Sequence, residues 1–392
     1  MRSVNLNNIF KKYIKIDSLL VLTALITLHG LLHESILTMT IYKGRFYQFM
    51  ILIIIAFFVG TFFQYSSYTN NIWYLLVPLV VGWHTTKLFY SYNFIFLFML
   101  MFFCQEDTIE KIVNVIYVEV KIFFWFHFIF FFLVNYLPLG LSDYTVDTGT
   151  GIRYSFFTYH PNTIARIFVF YIALSCFVNN FEMHISKWIA VFIVTIILYY
   201  YTKSDVFYLV IGCFIFSRLK FYTLIDRFLT KIVKFGVPFF VLFSLSLFLT
   251  ANIPFLYNKL LVLSELMSGR LGSNVNALTL YGPTMFGQES KFGAHFVFHG
   301  VSYDWVYADN MYVYMIVHWG IIYLVLMALL LFITADKLNY KAKVMVFVLL
   351  MYGIGENATT MLYVSFAMLV AYSAMNRKDN SVMKIYITER NL

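Results

Sequence analysis

Few basic residues of this 392-residue chain lie where membrane topology does not already account for them, and those few are the ones placed to do chemistry. Arg153 precedes the run Tyr159-His160-Pro161-Asn162, and Arg166 follows four residues after Asn162. Proline fits the first turn of a helix, where its missing N–H would be unpaired anyway, so His160 and Pro161 predict a helix start. Such a start aims free amides outward and carries about half a positive charge, which binds anions; Arg153 adds to that focus. Asn162 and Arg166 share one helix face, with Arg166 roughly 9 Å below His160 from the helical rise. A guanidinium embedded at that depth costs at least about 2.5 to 3.5 kcal/mol unless it is paired or faces a polar cavity. Two readings stay open for Arg166: it lines an interior site for a phosphate-bearing ligand, or it snorkels or pairs with a carboxylate such as Glu34.

The remaining candidates come from later segments. Lys203-Ser204-Asp205 forms a short turn that is either a cationic point or a solvated hairpin with a capping Asp. Arg270 lies in Ser268-Gly269-Arg270-Leu271-Gly272, ahead of Tyr281-Gly282-Pro283 and Phe286-Gly287. Six glycines between Gly269 and Gly300 mark a segment that approaches something closely or turns often. His295, His299 and Asp304 precede Asp309-Asn310, where either residue can cap a helix and a cavity-facing Asp can also take a proton. Glu356 occupies the turn Gly355-Glu356-Asn357. His29 with His33, and His295 with His299, have a spacing that can share a metal, but no third ligand of familiar spacing accompanies either pair, and no metal or other cofactor is expected. Cys104, Cys176 and Cys213 lie in or beside apolar runs and read as packing residues.

The elements that must position these groups are membrane helices. With 61% hydrophobic, 21% aromatic and 12% charged residues, and a mean hydropathy of +0.78, the chain reads as an all-α polytopic membrane protein. About twelve spans are expected, near 17–38, 46–64, 72–86, 88–104, 122–138, 160–178, 186–201, 205–217, 235–251, 310–333, 344–355 and 358–375. Only Lys87 separates the third from the fourth. The first apolar run is not followed by a small-residue cleavage pattern and reads as a retained span. Residues 1–251 carry the first nine helices, 252–308 form one long extracytoplasmic loop, and 309–392 carry the last three and a cytoplasmic tail. Within the loop, Ile253 to Met267 reads as an amphipathic helix along the membrane surface. Both termini are placed in the cytoplasm because this orientation puts Lys11, Lys12, Lys15, the Arg218 to Lys234 cluster, Lys337, Lys341, Lys343, Arg377 and Lys378 inside. Outside remain Lys43, Arg45, Lys87, Arg153, Lys203, Lys259, Arg270 and Lys291. The net charge of +9 is thereby topological and implies no nucleic-acid partner. There is no Walker pattern, Gly-rich phosphate loop or internal repeat, so nucleotide hydrolysis is not expected.

This plan resembles the Wzy-type polysaccharide polymerases of bacterial capsule, exopolysaccharide and O-antigen assembly, relatives of the O-antigen ligases. The resemblance covers nearly the whole chain as a hydropathy plan. Locally it rests on His160-Pro161-Asn162 opening a span, Arg270 leading into Phe286-Gly287, and Asp309-Asn310 with Tyr312 and Gly320. It implies a GT-C-like, metal-independent glycosyltransferase in the bacterial cytoplasmic membrane. Its substrate would be an oligosaccharide repeat unit on undecaprenyl pyrophosphate, and its neighbours membrane lipid and the flippase and chain-length regulator of the same pathway. Relatives often have Ser-Arg before the eighth span; here Lys203-Ser204-Asp205 stands instead, and Lys lacks the bidentate fork of Arg.

The chemistry fits the residues. A departing pyrophosphate gains negative charge, for which Arg153, Arg166, Lys203 and Arg270 are the candidate ligands, with Asn162 and Asn310 at helix starts. The acceptor hydroxyl needs a base, for which His160, His295, His299, Asp309 and Glu356 compete, His299 and Asp309 being placed first. Tyr281, Tyr303 and Trp305 are candidates to stack on sugar rings, though interfacial anchoring is the commoner task of such side chains. Two alternatives stand beside this reading: a flippase-like transporter, which would spread polar groups through the midplane and use broken helices, and a ligase with a different acceptor.

Overall fold

Helices dominate the described chain because, in hydrocarbon, backbone amides and carbonyls must bond within their own segment. The computed structural model describes residues 17–38, 45–64, 93–105, 107–137, 143, 145–147, 151–219, 222–251, 253, 255–256, 259, 262, 270–288, 296–298, 301–303, 308–356 and 361–375. The helices are α1 (Ser18–His33), α2 (Arg45–Gln64), α3 (Asn93–Phe103), α4 (Ile109–Tyr136), α5 (Pro161–Val178), α6 (Ile185–Thr202), α7 (Tyr208–Leu219), α8 (Thr223–Ala251), α9 (Arg270–Tyr281), α10 (Met311–Tyr314), α11 (Ile321–Thr334), α12 (Tyr340–Gly355) and α13 (Leu362–Ser373). Among the described residues, α4, α5, α6 and most of α8 are long and apolar enough to cross a membrane; α1, α2, α11 and α13 contain shorter apolar helices. The expected span at 72–86 and the separating Lys87 lie outside the described residues, as does most of the expected surface helix at 253–267.

The apolar surface is sorted between protein and lipid. Helix α5 is buried nearly all round, from Ile164 to Cys176, and packs on α4, α6, α7, α12 and α13. Helix α6 instead exposes Ile185, Ile189, Ile193, Ile196 and Tyr200, a stripe at helical spacing that suits acyl chains. Because lipid tails are as apolar as Leu, helices here associate through close packing and polar contacts between them rather than through water exclusion. Cys104, Cys176 and Cys213 are buried with free thiols.

Three features depart from the expected plan. Among the described residues, two short antiparallel hairpins interrupt the helices, one pairing Thr145–Asp147 with Ile152–Tyr154 and one pairing Phe296–Phe298 with Val301–Tyr303. The segment read as a glycine-punctuated loop begins with α9, which packs on α8 and α10 and buries Asn274, Val275, Asn276, Ala277 and Leu278. The span expected to run unbroken through 310–333 is divided. After α10 it widens into a π-helix at Met315–Trp319 and breaks at Gly320, which has φ of 89°.

Residues 284–288 fill that break. Thr284 N–H donates to the Ile316 carbonyl and Gln288 N–H to that of His318, while Ile321 and Ile322 N–H donate back to Thr284 and Met285. Both chains must come within backbone contact. A Cβ on Gly320 would collide with the Met285 carbonyl oxygen, and one on Gly287, which has φ of 86°, would collide with that of His318. Only glycine permits the approach, and the approach supplies partners that a broken helix in lipid would otherwise lack.

Candidate functional site

The site is built outward from the start of α5. His160 is its N-cap, with the imidazole Nδ1 accepting from Asn162 N–H at 3.2 Å, and Pro161 occupies the first turn. The loop before it holds Phe156 and Phe157 in the left-handed region, at φ of 56° and 57°. Bulky residues there cost about 1 to 2 kcal/mol each and persist only when surroundings impose them. Asp143 imposes them. Its Oδ1 accepts from Ser155 Oγ at 2.8 Å and Phe157 N at 2.7 Å, and its Oδ2 accepts from the N–H groups of Ser155 and Phe156, both at 2.9 Å.

That loop is also tied to the end of α1. Ile36 N–H donates to the Phe157 carbonyl at 3.0 Å and Tyr159 N–H to the Glu34 carbonyl at 2.9 Å. Ser35 Oγ is 2.8 Å from His127 Nε2, whose Nδ1 lies 3.0 Å from the Phe123 carbonyl. With Nδ1 donating to that carbonyl, Nε2 accepts the serine proton, so His127 is satisfied as a neutral ring.

Arg166 lies one turn below Asn162 and is 9% exposed. Its Nη2 is 2.7 Å from Glu34 Oε2, and its Nε donates to the Tyr363 hydroxyl at 2.9 Å. Of the two readings the sequence left open, the structure places Arg166 in the pair with Glu34, since a guanidinium at this depth requires a counter-charge. Tyr352 adds a buried hydroxyl within electrostatic reach of Arg166, Glu356 and Tyr363.

Nearer the surface, Asn162 joins a cation to a carboxylate. Its Oδ1 accepts from Arg153 Nη2 at 2.5 Å, and its Nδ2 donates to Glu356 Oε1 at 3.0 Å. Arg153 Nε donates to the Thr202 carbonyl at 2.6 Å, bringing the end of α6 alongside. Lys203 follows as the left-handed C-cap of α6, exposed, with Nζ 4.8 Å from the Tyr200 ring centroid. Ser204 rather than Asp205 occupies the cap position, without a side-chain cap hydrogen bond, and Asp205 opens a short 3-10 turn at Asp205–Phe207. Glu356 is itself the C-cap of α12. Thus Arg153, His160, Asn162, Lys203 and Glu356, scattered over about two hundred residues, form one cluster above the buried Arg166.

No family model matches this chain, and comparison with curated proteins and with solved structures gives no match either.

Arg270, Asp309 and Asn310 reach the same end of the bundle by a second route. Met311 packs on Gly353, one turn from Glu356, and Tyr312 Oη donates to the Leu350 carbonyl at 2.8 Å. Asn310 is the cap of α10, its Oδ1 accepting from Tyr312 N at 2.8 Å and Val313 N at 3.2 Å; Asp309 is left half-buried beside it. Asn310 N–H in turn donates to Asn274 Oδ1 at 3.0 Å, which fixes α9 there, with Arg270 at its first position. His295, His299, Asp304 and Trp305 lie outside the described residues. His29 and His33 do not converge: His29 is buried near Tyr47 and Phe96, whereas His33 is exposed.

Sequence reasoning missed Asp143, Ser155, Tyr352 and Tyr363. A lone Asp in a polar turn and tyrosines in a chain that has 31 of them carry no distinguishing spacing.

Proposed function

We propose that this chain is a polysaccharide polymerase that joins oligosaccharide repeat units carried on undecaprenyl pyrophosphate at the outer face of a bacterial cytoplasmic membrane. The observation that carries the reading is the Asn162 amide held between Arg153 and Glu356 at a helix start. The acceptor hydroxyl oxygen of one lipid-linked unit bonds to the anomeric carbon of another, and the bond from that carbon to the pyrophosphate oxygen breaks. The hydroxyl proton passes to a carboxylate, and the lipid pyrophosphate leaves with the electron pair. Arg153, Lys203 and the positive end of α5 supply positive charge for the departing pyrophosphate, and Arg270, at the first position of α9, is a further proposed cation.

For the base, the geometry favours Glu356. Its Oε1 is oriented by Asn162, whereas His160 uses Nδ1 to accept an amide proton and so carries its own proton on Nε2, as a donor rather than a base. Asp309 is the second choice, because Asn310 takes the capping duty. Arg166 acts through Glu34 and Tyr363 to hold α5 in place. The finer plan belongs to the same proposal: twelve spans, both termini cytoplasmic, a GT-C-like arrangement, and a flippase and chain-length regulator as pathway partners.

One observation favours transport of the same lipid-linked unit: the helix broken at Gly320, with a second segment bonded into the break. Ligation shares the chemistry and differs in acceptor. The deciding experiment incubates the purified chain in lipid nanodiscs with lipid-linked repeat units and without nucleotide sugar or added metal. A ladder of products is expected. No ladder, together with movement of the units across proteoliposome membranes, would select transport.

A further inference from the structure

The helices that carry the candidate site enclose a second place at their opposite ends. A cleft of about 270 Å³ opens between the start of α4, the end of α5, the first turn of α12 with the residues before it, and the last turn of α13. Its polar lining includes Glu110, Lys337 and Lys341, and its apolar lining includes Phe177, Leu338 and Val370. Lys341 Nζ lies 2.7 Å from Glu110 Oε1, 3.2 Å from Asn180 Oδ1 and 4.7 Å from the centre of the Phe177 ring. An ammonium has three donors, so these two polar contacts leave Lys341 one more to offer. Lys337 Nζ donates to the Met375 carbonyl at 3.2 Å. Among the described residues the lining carries two lysines and one glutamate, and the start of α12 adds its own positive pole.

We infer that this cleft binds the phosphate headgroup of an anionic phospholipid, in the leaflet that these helix ends face. A soluble phosphate meets the same cations but gains nothing from Phe177, Leu338 and Val370, whereas a lipid brings a glycerol and acyl region to apolar walls and is concentrated by the bilayer itself. In the proposed orientation this is the cytoplasmic end, where the sequence gathers most of its basic residues. The inference does not depend on the chemistry at the other end.

The test uses the full chain in phosphatidylcholine nanodiscs to which phosphatidylglycerol is added. Its unfolding temperature should rise saturably by a few degrees, with phosphatidylglycerol retained in native mass spectra. The rise should disappear in a Lys337→Gln/Lys341→Gln double variant and persist in Lys187→Gln, an exposed lysine elsewhere. Should the double variant fold poorly because Glu110 loses its partner, Lys337→Gln alone keeps that pair and should lose at least half of the rise. An undiminished rise in the folded variants overturns the proposal. So does an equal rise from millimolar inorganic phosphate without anionic lipid, which would assign the cleft to a soluble anion.

Discussion

Glu34 and Arg166, far apart in sequence, meet at 2.7 Å between α1 and α5, with side chains only 6% and 11% exposed. Breaking a buried pair by removing one partner typically costs about 3 to 5 kcal/mol, because the survivor is left charged and unmatched. Arg166→Ala should therefore reduce the folded fraction, read as lost monodispersity and a lowered unfolding temperature in detergent. Glu34→Gln/Arg166→Gln, which removes both charges, should recover much of that stability. Wild-type stability in Arg166→Ala would mean that the pair holds nothing together.

The Asn162 bridge predicts an effect on rate with little effect on folding. Glu356→Gln should lower product formation about 10²- to 10⁴-fold if the carboxylate takes the proton. Asn162→Ala, which removes the link between Arg153 and Glu356, should lower the rate constant more than it raises the substrate concentration for half-maximal rate. Initial rates with lipid-linked units measure both. Full activity in Glu356→Gln would return the role of base to Asp309 or to the histidines.

Asp143 holds two left-handed phenylalanines by accepting four hydrogen bonds. An amide NH2 cannot accept, so Asp143→Asn forfeits at least one backbone N–H bond whichever way it turns, and two where the NH2 faces Ser155 N and Phe156 N. Protease cleavage between residues 143 and 160 should then accelerate, and activity should fall because this loop carries Arg153 and His160. Unchanged cleavage would show that the backbone keeps its path unaided.

Glycine substitutions separate the broken helix from ordinary helical positions. Gly320→Ala and Gly287→Ala each force a Cβ into a carbonyl at a positive φ and should sharply reduce the yield of folded protein. Gly60, in α2, is the control because a methyl group there meets nothing within 4 Å. Gly60→Ala should be neutral or stabilising by about 0.5 to 1 kcal/mol. Size-exclusion yield compares the three directly.

What the sequence determined by itself is what periodicity and solvation enforce locally. Hydropathy requires helices, Pro161 after His160 requires a helix start, and a deep arginine requires either a partner or a polar cavity, so these were legible from the residues alone. Tertiary structure alone decided which partners meet. That Glu34 answers Arg166, that Glu356 answers Asn162 nearly two hundred residues away, and that Gly287 lies against Gly320 depend on how helices are arranged in three dimensions. The division of the span expected at 310–333 was hidden for the same reason: hydropathy measures a segment's preference for lipid, whereas a break within it becomes tolerable only when another stretch of chain supplies the missing hydrogen bonds.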